Sequence, residues 1–168
     1  NMKADFNQGS GIANYCNHGQ PDGWAVGDFS NVHVHQLTND NMLPFIWSVA
    51  CNNGEFSYDE CFAEAWMRAK NPATGNPTGA IGGMFSWISQ PWLPPMYGQD
   101  EMVAILAEYR EGYKYTLGGV SMNGNNSEAI SFSLKEKYQT YGTPLNLNII
   151  GTVGYSRFSK RPQIMIVD

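Results

Sequence analysis

The sequence predicts an α/β domain built on a largely parallel sheet. Three observations predict it. Residues 43–50, Leu-Pro-Phe-Ile-Trp-Ser-Val-Ala, are a nearly continuous apolar run of strand length, which suits a strand covered on both faces. Residues 79–86, Gly-Ala-Ile-Gly-Gly-Met-Phe-Ser, form a second such run. Helical patterns follow each of them, and the order strand, strand, helix, strand, helix, helix, strand is that of a layered α/β domain.

In chain order, Gly-Ile-Ala-Asn-Tyr-Cys (11–16) reads as a short strand that runs into Asn17-His18-Gly19 and the polar loop Gln20-Pro21-Asp22-Gly23. Residues 30–38 are open between strand and helix. Val32 and Val34 alternate, yet Ser30 or Asn31 could cap a helix. The 43–50 strand stops at the turn signal Cys51-Asn52-Asn53-Gly54. Ser57-Tyr58-Asp59-Glu60 has the form of a capping box, and Phe62, Ala65, Trp66 and Ala69 then recur at helical spacing until Lys70-Asn71-Pro72. After the 79–86 strand, residues 87–97 read as an aromatic, proline-rich loop. A helix is expected over 99–109, with Met102, Val103, Leu106 and Tyr109 as its apolar face. A weaker helical pattern covers 127–138, and 145–153 and 163–167 read as strands. The whole chain, 1–168, reads as a single domain with no internal repeat.

Composition narrows the function. Apolar residues are 42% and charged residues 15%, a globular balance. A net charge of −5 gives no basic footprint for nucleic acid. No apolar run reaches the ~18 residues of a membrane span. Three cysteines, at 16, 51 and 61, match no zinc-site spacing. Cys61 falls in a helical pattern and reads as a small buried hydrophobe, and Cys16 reads as structural. His33 and His35 could share one strand face toward a metal. No third ligand stands at a suggestive spacing, so packed or solvated histidines are the expectation and no metal ligand is assigned.

Two strands each end near a reactive side chain, one at His18 and the other at Cys51. Ligands of open α/β sheets bind beyond the carboxyl ends of the strands. If these strands are parallel neighbours, imidazole and thiol emerge on one edge, where the imidazole can take the thiol proton. Gly19 and Cys51 could then offer backbone N–H groups to a substrate oxyanion. Spacing alone leaves the alternative open, since a strand-end cysteine is often a buried hydrophobe.

Longer segments add to this. Gly-Ile-Ala-Asn-Tyr-Cys-Asn-His-Gly (11–19), Leu43–Ile46 with Val49–Phe56, Cys61–Ala65 with Met67–Ala69, Trp92, Pro95-Met96, Gly98–Met102 and Gly118–Gly124 together resemble the gingipains, cysteine peptidases of the C25 family with a caspase-like α/β/α fold. The resemblance spans 11–124 in order, and the 33-residue step from His18 to Cys51 agrees with it. It implies a C-terminal portion of a catalytic domain, with His18 as general base and Cys51 as nucleophile. It implies Gly19 and Cys51 N–H groups as the oxyanion hole, and Val49, Trp92 and Met96 as walls of a pocket for a basic P1 side chain. An aromatic wall suits such a side chain through stem packing and cation–π contact. No cofactor is required, structural calcium is a family trait without assignable ligands here, and secretion or outer-surface attachment is implied. The implied partners are protein or peptide substrates, together with an N-terminal portion of the same catalytic domain. By the same resemblance, that portion carries the acidic base of the P1 pocket and an acidic partner for the histidine. The sequence departs from the family after Gly19 and beyond about residue 125. The leading expectation is therefore a cysteine endopeptidase. The alternatives are an inactive or truncated peptidase-like binding module and, more remotely, a transpeptidase using the same pair.

Overall fold

The computed structural model describes residues 1–108, 116–124, 147–150 and 164–167. The chain divides into two compact units, Asn1–Ser89 with Asn148–Asp168, and Gln90–Leu147.

The first unit begins with helix α1 (Met2–Asn7), capped by the Asn1 side chain, which accepts from the Lys3 N–H. Strand β1 (Ile12–Cys16) follows, then three two-residue strands: β2 (Gly19–Gln20), β3 (Gly23–Trp24) and β4 (Phe29–Ser30). These pair antiparallel in the order β2-β3-β4. Helix α2 (Asn31–Val34), strand β5 (Phe45–Val49), helix α3 (Phe62–Arg68) and strand β6 (Gly82–Ser86) come next. With β7 (Leu147–Ile150) and β8 (Ile164–Val167), the main sheet has the order β7-β6-β5-β1-β8. The pairs β1/β5, β1/β8 and β5/β6 are all parallel.

All five residues of β5 and of β6 are buried, as the unbroken apolar runs predict for strands covered on both faces. On one face lies an aromatic core in which Phe6, Trp24, Phe29, Phe62 and Trp66 meet at tilted, stacked and edge-to-face angles. Helix α3 delivers Phe62 and Trp66 to it from one face, at the spacing read from the sequence.

Several boundaries differ from the sequence reading. Helix α3 starts at Phe62, beyond the Ser57–Glu60 box. The Ser57 hydroxyl instead donates to Glu55, and the reciprocal cap is made by Cys61 with Glu64, whose carboxylate accepts the Cys61 N–H at 3.0 Å. Residues 31–34 settle as helix. His33 Nδ1 accepts the Ser30 N–H at 3.2 Å and so fills the third position of the cap.

In the second unit, helix α4 (Leu93–Glu108) begins six residues before the expected start and includes Pro94 and Pro95. First-turn N–H groups have no intrahelical acceptor, so prolines there cost no hydrogen bond and their fixed φ suits the helix. Its buried positions are Pro95, Gly98, Gln99, Met102 and Ile105, while Val103 and Leu106 are half-buried. A short helix over 117–124 packs on it closely enough that a Cβ at Gly124 would lie 2.5 Å from Met102 Cγ. Tyr109 and the 127–138 pattern lie outside the described residues.

Candidate active site

Strands β1 and β5 lie side by side and run parallel, with Cys16 in register with Val49. His18 follows the end of β1 by two residues and Cys51 follows the end of β5 by two. Both therefore emerge at the carboxyl edge of the sheet on neighbouring strands. The pairing continues past the strand ends, since the Asn17 N–H donates to the Val49 carbonyl at 3.2 Å. His18 is exposed and Cys51 is half-buried.

Gly19 is where the two segments meet most closely. A Cβ there would stand 2.6 Å from Ala50 Cβ and 2.8 Å from the Cys51 carbonyl oxygen. Only glycine permits the histidine segment to lie this close to the cysteine turn. Within the small sheet, Ala25 N–H donates to the His18 carbonyl on one side of the Gly19–Trp24 pair. That makes the pair the non-hydrogen-bonded type, so the Gly19 N–H points away from β3 and is not consumed by it.

The cysteine turn is held from β6. Asn52 sits in the left-handed region at φ 60, a conformation that asparagine tolerates. Its N–H donates to Ile88 O at 3.2 Å, and the Gly54 N–H donates to Ser86 O at 2.8 Å. The Asn52 side chain donates to Glu55 and accepts from Ser89.

Behind the edge lies a buried polar relay that the sequence reading missed. Fully buried Asn53 donates through Nδ2 to the carbonyls of Gln20 (2.6 Å) and Gly23 (2.8 Å), and accepts the Ser48 hydroxyl at 2.7 Å. Ser48 in turn accepts the Trp24 indole N–H at 2.9 Å. Trp24 stacks on Tyr15 at 4.4 Å and 11°, and the Tyr15 hydroxyl donates to the His18 carbonyl at 2.8 Å. Burial pushes the Tyr15 phenol up from its ordinary range and keeps it a neutral donor. The relay thus ties residues 18–24 to the turn that carries Cys51. Asn53 read only as a turn residue in sequence. The partner that reveals its role, the Gln20–Gly23 turn, is 30 or more positions away.

The other sequence-assigned residues are placed as follows. Val49 is buried at the end of β5. Trp92 and Met96 are exposed at the start of α4 in the second unit, where the Met96 N–H donates to Trp92 O. Cys61 is buried, and burial pushes its thiol up to about 11. Cys16 is half-buried, as Cys51 is. His33 stacks on Phe29 while His35 bonds Glu60 at 2.7 Å, so the two histidines serve separate partners. Among the described residues no three His, Cys, Asp or Glu side chains converge as a metal site.

The parallel sheet thus places a histidine and a cysteine just beyond the carboxyl ends of two adjacent strands. The model of Peptidase family C25 matches residues 1–151, and the chain belongs to that family. It is 48% identical over 139 residues to gingipain R2 of Porphyromonas gingivalis (strain ATCC BAA-308 / W83), covering 82% of this chain and 18% of that protein. It is 47% identical to Porphyromonas gingivalis gingipain R1, covering 82% of this chain and 13% of that protein. Among solved structures it matches the Arg-specific cysteine proteinase gingipain R, with a TM-score of 0.72 and 46% identity, over 82% of this chain and 31% of that one. It also matches the complex of Porphyromonas gingivalis RgpB pro- and mature domains, with a TM-score of 0.69 and 47% identity, over 82% of this chain and 31% of that one. The chain spans less than a fifth of the length of the curated relatives it matches.

Proposed function

We propose that the protein to which this chain belongs is a cysteine endopeptidase that cleaves after a basic P1 residue. Cys51 is the nucleophile and His18 its base. The observation that carries this reading is the pairing of β1 with β5, which sends both residues out at one edge of the sheet. His18 takes the Cys51 proton as the sulfur attacks the scissile carbonyl. The Gly19 and Cys51 N–H groups receive the developing oxyanion. The imidazolium then gives its proton to the leaving amine, which departs as the C–N bond breaks and leaves a thioester on Cys51. Water, deprotonated by His18, attacks the thioester, and the thiol is restored as the acid product leaves.

The basic P1 preference draws support from the Arg-specific proteinase among the matched structures. The acidic group that would meet the P1 side chain and the acidic partner of His18 belong, on this reading, to the remainder of the catalytic domain. Secretion or surface attachment follows from the same kinship. No helix among the described residues is long and apolar enough to cross a membrane.

The test is a panel of fluorogenic peptides with Arg, Lys or a neutral residue at P1, applied to the full-length protein. Basic substrates are expected to turn over, and Cys51→Ala is expected to abolish that turnover. Undiminished activity in Cys51→Ala would remove the mechanism.

A further inference from the structure

Phe56 and Trp87 are large aromatics left in contact with water, 44% and 39% exposed, with ring centroids 5.6 Å apart. Neither is used by the fold's aromatic core or by the proposed chemistry. Their position follows from the topology. Trp87 comes one residue after the end of β6, Cys51 two residues after the end of β5, and His18 two residues after the end of β1. These three strands are parallel neighbours in the order β6-β5-β1. Trp87 therefore leaves the same carboxyl edge as Cys51, from the strand next to β5 on the side opposite β1 and His18.

The attachment is direct. Trp87 lies between Ser86 and Ile88, whose carbonyls accept N–H groups from Gly54 and Asn52 of the cysteine turn. Phe56 follows that turn by two residues beyond Gly54, where a Cβ would already be 3.2 Å from Phe85 Cβ. The turn is thus pressed onto the end of β6, which brings the two rings together. Polar groups border the pair: Glu55 accepts from Asn52 and Ser57, and Ser89 donates to Asn52. An exposed aromatic pair with a polar border is the composition of a recognition patch for an apolar side chain.

We propose that Phe56 and Trp87 form a substrate subsite for an aromatic or large aliphatic side chain of the peptide, within three residues of the scissile bond. The range follows from reach, because an extended peptide advances about 3.3–3.6 Å per residue and Trp87 leaves the strand adjacent to the one that leads to Cys51. The occupant rests on the peptidase reading given above.

The test uses the full-length protein and one internally quenched peptide with a basic P1. Each other position from P3 to P3′ is changed singly to Gly, Glu, Leu or Phe. At one position Phe is expected to exceed Gly by roughly three- to tenfold in kcat/KM. Phe56→Ala with Trp87→Ala should bring that ratio to about one, and Trp87→Phe should keep most of it. Fluorescence anisotropy of the same Phe and Gly peptides on Cys51→Ala should show a matching ratio in Kd that the added double substitution removes. If Cys51→Ala still cleaves, the nucleophile assignment fails while the binding ratio continues to judge the subsite. A peptide profile with no aromatic preference, or a binding ratio indifferent to the double substitution, overturns the subsite.

Discussion

Asn53 and Asp40 each gather distant segments through side-chain hydrogen bonds, but water reaches only one of them. Asn53 is fully buried and bonds Gln20, Gly23 and Ser48 directly behind the candidate site. Asp40 is half-buried and still reached by water, and it accepts from Asn71, Thr74 and Asn76, closing the 71–77 loop on the 39–42 turn. The two sets are similar in number and geometry, yet their energetic weight differs. A buried amide that loses its partners leaves unsatisfied groups in an interior that offers no substitute, whereas water replaces the partners of Asp40. The comparison teaches that precision at this sheet edge depends on the interior relay and much less on the surface clamp.

The largest expected effect is at the relay. Asn53→Ala removes three buried hydrogen bonds, those to the Gln20 and Gly23 carbonyls and the one that accepts the Ser48 hydroxyl, and should lower stability by about 3 kcal/mol in urea unfolding. Gly19→Ala comes next. It forces a methyl into Ala50 and the Cys51 carbonyl, and should cost about 1–3 kcal/mol and depress turnover. Trp24→Phe removes the indole donor to Ser48 and part of a buried ring while keeping an aromatic ring at the site, and about 1–2 kcal/mol is expected.

Titration sharpens the same contrast. Burial raises the Cys61 thiol from 9.0 to about 11. The unfolded chain therefore loses this proton first, and the stability it contributes is full below pH 9.0 and falls as pH climbs toward about 11. Cys61→Ala should flatten that alkaline decline, read from melting temperature against pH. Asp40 has the opposite sign. Hydrogen bonds from Asn71 and Asn76 hold its carboxyl below the ordinary range, so its contribution is present above the unfolded value and is lost as pH falls through the folded one. Asp40→Asn should lower neutral-pH melting only slightly and remove the acid-side decline, which is the smallest effect of the set.

What the sequence revealed follows from what is local. The β5 and β6 runs, the α3 spacing and the strand ending before His18 depend on neighbours within a few residues, and all could be read. The two-residue strands β2, β3 and β4 are too short to carry a period, so their hairpin sheet had no signature. The start of α4 was hidden because Pro94 and Pro95 read as loop residues unless their first-turn position is already known. At the site, His18, Gly19 and Cys51 could be proposed from strand ends and kinship. Asn53, Ser48 and Trp24 could not, because their bonds join positions brought together only by the β1–β5 crossover. The pairing of Phe56 with Trp87 was likewise invisible until β6 was set beside β5.

The most direct test of the central claim is covalent capture. A peptidyl chloromethyl ketone with a basic P1 residue is added to the full-length protein and to His18→Ala, and the adduct is mapped and timed by mass spectrometry. The account predicts a single adduct on Cys51 that forms at least a hundredfold more slowly in His18→Ala, the order of magnitude of a lost general base. An adduct on Cys16, or a Cys51 adduct that forms equally fast without the imidazole, would contradict it.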